Sequence, residues 1–213
     1  MSGSDDDELA QVKDWWQRNG KPLVTGGLLA LVLVFGWQAW QRHQANQAQG
    51  ASNLYQQLVE ASLSPDGKPD LPKVNFLAGE LSKNFGGTAY DQYGKLFVAK
   101  VSVGAGKLDD AASQLKAVVD KPANATLGEV ARERLAQVLA AQNKAEEALK
   151  LLDGEADKAF VASREELKGD LLVRLGRTDD AHAAYQKAKA ALPEDAAVGG
   201  LQTKLDDLAK GDA

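Results

Sequence analysis

Histidines, paired acids and one glycine-rich turn are the residues of this chain whose types and spacing could do chemistry. There are two histidines, His43 and His182, and His182 follows Asp179 and Asp180, a grouping able to orient an imidazole as a base or ligand. A lone histidine in a helical pattern is far more often a surface residue. Gly104-Ala105-Gly106-Lys107 has the outline of a phosphate loop, but no glycine precedes it at the required distance and Leu108 stands where magnesium needs a hydroxyl. It reads better as an interhelical turn. The acid pairs Asp109-Asp110, Glu146-Glu147 and Asp179-Asp180 recur at one repeated place, which suits helix starts better than catalytic or metal-binding carboxylates. No H-E-x-x-H, G-x-S-x-G or EF-hand pattern occurs. The expectation is a binding protein without enzymatic activity, cofactor, metal or small-molecule substrate.

Charge and cysteine usage narrow the partners. The 213 residues carry 30 acids against 25 bases, a formal charge of −5. That balance lacks the basic surplus on which counterion-driven nucleic-acid binding depends. With no cysteine there is no disulfide framework, thiolate nucleophile or Cys-ligated zinc. A mean hydropathy of −0.33 confines any membrane embedding to one short stretch.

That stretch is 22–41, free of formal charge and bounded by Lys21 and Arg42. At about 1.5 Å per residue it spans roughly the 30 Å of a bilayer's hydrocarbon core. Its leucines, valines and phenylalanine together favour insertion by roughly 3–5 kcal/mol. Trp15 and Trp16 precede it and Trp37 and Trp40 close it, where indoles would sit in the two headgroup layers. Lys13, Arg18 and Lys21 lead the span and only Arg42 follows closely, so the N-terminus is expected in the cytoplasm and the C-terminal part on the outer side of the membrane. A cleavable signal peptide is the competing reading; Asp5, Asp6, Asp7 and Glu8 stand where it wants positive charge, and the apolar run is too long.

Beyond Arg42 no alternating run reads as a strand, and the composition predicts an all-α region. Residues 43–63 should continue as helix until Pro65-Asp66-Gly67-Lys68-Pro69, and a second helix should run from about Pro72 to Asn84. The chain then repeats. Thr88 with Asp91, Thr126 with Glu129 and Ser163 with Glu166 each read as a hydroxyl followed three residues on by an acid, a helix-start signal. A second register runs through Gly106 to Ala111, Asn143 to Ala148 and Gly176 to Ala181: turn, acid, acid, alanine.

These units resemble the tetratricopeptide repeat, with a small residue, a large apolar one, an alanine, an aromatic or leucine, a small residue and a proline at set spacing. The third unit offers Gly169, Leu172, Ala181, Tyr185, Ala188 and Pro193; the second Ala136, Leu139, Ala148 and Leu152, with Glu155 where a small residue belongs; the first Ala99, Ala111 and Leu115, with Ser102 at the large position. The implied architecture is a single transmembrane helix followed by an α-solenoid: a short acidic tail over 1–21, the span over 22–41, connecting helices over 42–87, repeats over 88–193 and a capping helix over 194–213 with Leu201, Leu205 and Leu208 inward. By that resemblance, a groove would present Tyr93, Leu96, Lys100, Glu133, Gln137, Glu166, Asp170 and Arg174, although any of these is as easily a solvated residue.

Taken whole, the chain resembles the YfgM family of Gram-negative inner-membrane proteins. The likeness is carried by Leu135-Ala136-Gln137-Val138, by Asn143 through Asp153, and by Lys168 through Leu172 with Gly176-Arg177. It implies an ancillary subunit of the SecYEG translocon, paired with the membrane-anchored chaperone PpiD and passing exported polypeptides to the periplasmic chaperone network. Two alternatives stay open: an envelope-stress signalling regulator acting through its cytoplasmic tail, and a structural scaffold for cell-envelope assembly.

Overall fold

The computed structural model describes residues 3–63, 69–193, 196 and 199–211, with the side chains of 3–12, 14, 210 and 211 left out; the expected turn at 65–68 and the acidic side chains at 5–8 therefore lie outside the described residues. All regular structure among the described residues is helical, and no strand occurs among them. The chain divides into two compact units, one ending at Gly50 and one beginning at Ala51.

The first unit consists of α1 (Gly3–Ser62) up to the division. It holds the one described segment long and apolar enough to cross a membrane, with mean hydropathy 1.7 in its most apolar window and none of that window buried. Leucines and valines such as Leu33 and Val32 point outward, as a lipid-facing helix requires. Pro22 lies inside the helix, so the Arg18 carbonyl a turn earlier lacks its helical donor, yet helix continues on both sides. Trp37 and Trp40 pack with ring centroids 5.1 Å apart, and the Trp16 ring covers Gly20 so closely that an added Cβ would meet it at 3.1 Å.

The second unit stacks helices in antiparallel pairs. The end of α1 packs Leu58 and Ala61 against Val74 and Leu77 of α2 (Leu71–Phe85) and Val98 of α3 (Ala89–Gly104). Then follow α4 (Leu108–Asp120), α5 (Ala125–Ala141), α6 (Ala145–Leu151), α7 (Val161–Arg174), α8 (Thr178–Ala191) and α9 (Gly199–Gly211). The pairs α3/α4, α5/α6 and α7/α8 are three copies of one device. Each first helix ends at a residue with positive φ: Gly106 at 74°, Asn143 at 62° and Gly176 at 72°. The next amide reaches back across the turn, from Lys107 to Ser102 O at 2.8 Å, Lys144 to Leu139 O at 2.9 Å and Arg177 to Leu172 O at 2.9 Å. The paired acids then fall in the first turns of α4, α6 and α8, at the positive end of each helix. Ala111, Ala148 and Ala181 are fully buried behind them, where a larger side chain would push the helices apart.

The other repeating signal is only partly a helix start. Thr88 caps α3, its Oγ1 accepting from the Asp91 amide at 3.3 Å, while Asp91 takes the Gly87 N–H at 2.9 Å and the Ser82 hydroxyl at 2.5 Å. Thr126 and Ser163 do not cap. Asn124, extended at φ −155°, accepts from the Leu127 amide at 2.9 Å and starts α5 earlier, because its carboxamide is as good a cap and comes first. A 3₁₀ turn at Lys158–Phe160, capped by Asp157, starts α7 before Ser163 is reached.

Candidate functional site

One small residue on the first helix of each pair packs against a large side chain of the second. Ala99 lies in one core cluster with Leu115, Ala136 in another with Leu152, and Gly169 directly beneath Tyr185. Ala188 and Leu172 join Tyr185 in the third cluster, Leu139 bridges the first two, and Pro193 is exposed beyond α8. Stacking of this kind leaves the first helices α3, α5 and α7 side by side as the floor of a groove.

Two depressions run along α3 and α5. The larger, about 670 Å³, is walled by Tyr55, Tyr93, Phe97 and Val130; the smaller, about 350 Å³, by Ala99, Val103, Leu115, Gln137 and Ala141. Leu96, Lys100 and Arg134 line both. Tyr55, Tyr90 and Tyr93 form a triangle with centroids 6.0–6.2 Å apart, a geometry favourable for edge-to-face packing. Tyr93 keeps 40% of its surface exposed. Lys100 lies 5.7 Å over the Phe97 ring.

The expected groove residues fall into two sets. Tyr93, Leu96, Lys100 and Gln137 line these depressions. Glu133, Glu166, Asp170 and Arg174 line neither, and the chain itself engages them. Ser163 Oγ donates to Glu133 at 2.6 Å, and Arg174 donates to the Ala140 carbonyl at 3.3 Å. Lys204 of α9 donates to Glu166 at 2.8 Å and to Asp170 at 2.6 Å, and the Tyr185 hydroxyl donates to Asp170 at 2.8 Å. The last helix is thereby latched over the third pair, with Leu201 and Leu205 in its core cluster. Burial, then the neighbouring Asp170 carboxylate, push the Tyr185 phenol well up. For Lys204, burial alone would lower the ammonium; the bonds to Asp170 and Glu166 outweigh it and hold the group above its ordinary value.

Sequence reasoning missed Tyr55, Phe97 and Arg134. Phe97 and Arg134 stand at equivalent places in their repeats, one residue past Leu96 and Glu133, and Phe97 continues the Tyr90, Tyr93 stripe at helical spacing. Tyr55 arrives from outside the repeated region and had no local signal. Also unforeseen is Arg164, 1% exposed, which donates to Glu129 and, at 3.3 Å, to the Gly154 carbonyl. His182 is half-buried on α8, His43 is exposed on α1, and no group of three His, Asp or Glu able to hold a metal occurs among the described residues.

Comparison with known proteins matches this geometry. Residues 13–210 fit the model of the tetratricopeptide repeat-like domain. The chain is 30% identical over 206 residues to a protein named ancillary SecYEG translocon subunit from Escherichia coli (strain K12), covering 96% of this chain and 97% of that one. It is 28% identical over 185 residues to the protein of the same name from Haemophilus influenzae, covering 87% and 88%, and 28% identical over 203 residues to that from Neisseria gonorrhoeae, covering 94% and 95%. The shared length takes in both the apolar helix and the stacked pairs, and on that basis the chain belongs to the tetratricopeptide repeat-like family of ancillary SecYEG translocon subunits, the YfgM family.

Proposed function

We propose that the chain is a membrane-anchored periplasmic adaptor at the Sec translocon, which binds a partner chaperone of the PpiD type and emerging exported polypeptides and passes them to the periplasmic chaperone network. The observation that carries this reading is the open, partly apolar groove along α3 and α5, formed by two depressions of about 670 and 350 Å³ that share Leu96, Lys100 and Arg134. The name shared by the relatives supplies the translocon, and the resemblance supplies the partner chaperone. In this reading 1–21 is the cytoplasmic tail, 22–41 the span and 88–193 the client-binding repeats, with Trp15, Trp16, Trp37 and Trp40 at the two membrane faces. The excess of Lys13, Arg18 and Lys21 over Arg42 supports the orientation. Tethering holds the groove near the channel exit at a high effective concentration, so weak and varied binding suffices, and no bond need be made or broken.

Affinity purification of the full chain in mild detergent tests this. Translocon subunits and a membrane-anchored chaperone should co-purify, and exported chains should join them when export is arrested. Recovery of none of these, or of cytoplasmic signalling proteins lost on deleting the first dozen or so residues, would contradict it.

A further inference from the structure

The wall between the two depressions is cationic in a chain whose formal charge is −5. Lys100 and Arg134 are exposed and line both depressions. No described carboxylate is ion-paired with either, and Lys100 has only the Phe97 ring. Of the acids on the neighbouring first helices, Glu129 pairs with Arg132 and Arg164, and Glu166 and Asp170 share Lys204, while Glu133 accepts only from the Ser163 hydroxyl and keeps its charge. Two positive charges without an ion-pair partner among the described residues thus line a partly apolar trough, whose concave walls focus their field. On one side the trough is wide and tyrosine-walled; on the other it is smaller and walled by Ala99, Val103 and Ala141.

This arrangement has a complement. Resting on the reading of the groove as a polypeptide site, the geometry points to a ligand of defined pattern: an extended segment carrying a large aromatic or aliphatic side chain, then a glutamate or aspartate, then a smaller aliphatic one. The bulky side chain enters the tyrosine-walled depression, where aromatic rings offer much area at low entropic cost. The carboxylate settles between the guanidinium of Arg134, whose planar fork matches it, and the ammonium of Lys100. The smaller side chain takes the second depression. Selection acts as much by exclusion as by attraction, because a lysine at the central place meets two like charges and an uncharged residue leaves them without a partner. The groove thus discriminates among exported segments by charge at one place and by size on either side of it.

The test measures binding of short fluorescent peptides, identical but for Glu, Gln or Lys at the centre of an apolar sequence, to the full chain in detergent micelles. The Glu peptide should bind about tenfold more tightly than the Lys peptide, with Gln between, and the gap should shrink as salt is added. Lys100→Glu combined with Arg134→Glu should reverse the order; should that protein not fold, Lys100→Gln with Arg134→Gln should level it. Equal affinity for the three peptides, or an order that survives these substitutions, overturns the inference while leaving the groove a polypeptide site. Failure of every peptide to bind overturns both.

Discussion

Gly169 lies so close beneath Tyr185 that a Cβ built on it would stand 2.2 Å from the ring's Cε1. The other two pairs have Ala99 and Ala136 at the same place, and there the residue opposite is Leu115 or Leu152. The flat phenol ring, held by its bond to Asp170, leaves room only for glycine. Helix propensity alone would make Gly169→Ala stabilising by about 1 kcal/mol. Overpacking wins here, because the obstructing atoms belong to a buried ring, and the variant should lose about 1–3 kcal/mol. Adding Tyr185→Leu should recover part of that loss, a coupling that thermal denaturation of the single and double variants would read directly.

Arg164 ties α7 to α5 through Glu129 and to the preceding loop through the Gly154 carbonyl. Arg164→Ala should destabilise by about 3 kcal/mol, since it opens a cavity and leaves the loop carbonyl without its donor. Arg164→Met, which refills the volume, should cost less. Equilibrium unfolding in urea, compared at constant slope, would separate the two.

Stability should fall at both ends of the pH scale, for different helices. For Asp91 burial would raise the pKa, but bonds from Lys95, Ser82 and the Gly87 amide outweigh it and hold the carboxyl below its ordinary value. A depressed folded-state pKa gives stability that is present above the usual carboxylate range and lost as pH falls through the folded value. The raised pKa values of Tyr185 and Lys204 act in reverse, giving stability that is full below about pH 10 and lost on further rise. Asp91→Asn should flatten the acid limb and Lys204→Gln the alkaline one. Because Lys204 is a third exposed, its share should stay within about 1 kcal/mol. Hydrogen exchange should show α9 loosening first under alkali.

Membrane anchorage should depend on a narrow margin. The apolar side chains of the span favour insertion by roughly 3–5 kcal/mol, and an arginine at its centre opposes it by about 3 kcal/mol. Leu31→Arg should therefore bring insertion close to balance and release a measurable fraction of the protein on alkaline extraction of membranes, whereas Leu31→Phe should release none.

Much of this molecule was legible in its sequence because its signals are local. Gly106, Asn143 and Gly176 end helices where positive φ is required, and the alanines five residues on mark the tight crossings. The charge-free run at 22–41 needed only counting. Helix starts were harder. Asn124 and the 3₁₀ turn at Lys158–Phe160 overrode the Thr126 and Ser163 signals, since caps compete along one chain and the earlier adequate one prevails. The groove was hardest of all. Whether Glu166 and Asp170 stay free or are taken by Lys204 depends on where a helix some forty residues later comes to rest, which no short-range pattern states. Tyr55 joins Tyr90 and Tyr93 for the same long-range reason.

The central claim is that exported polypeptide lies along α3 and α5. A photoreactive residue placed at Gln137, in the full chain within inner-membrane vesicles engaged in export, would address it most directly, with Lys187 on the exposed face of α8 as the comparison. Gln137 should label the translocating chain and Lys187 should not. Equal labelling from both, or labelling from Lys187 alone, would contradict the account.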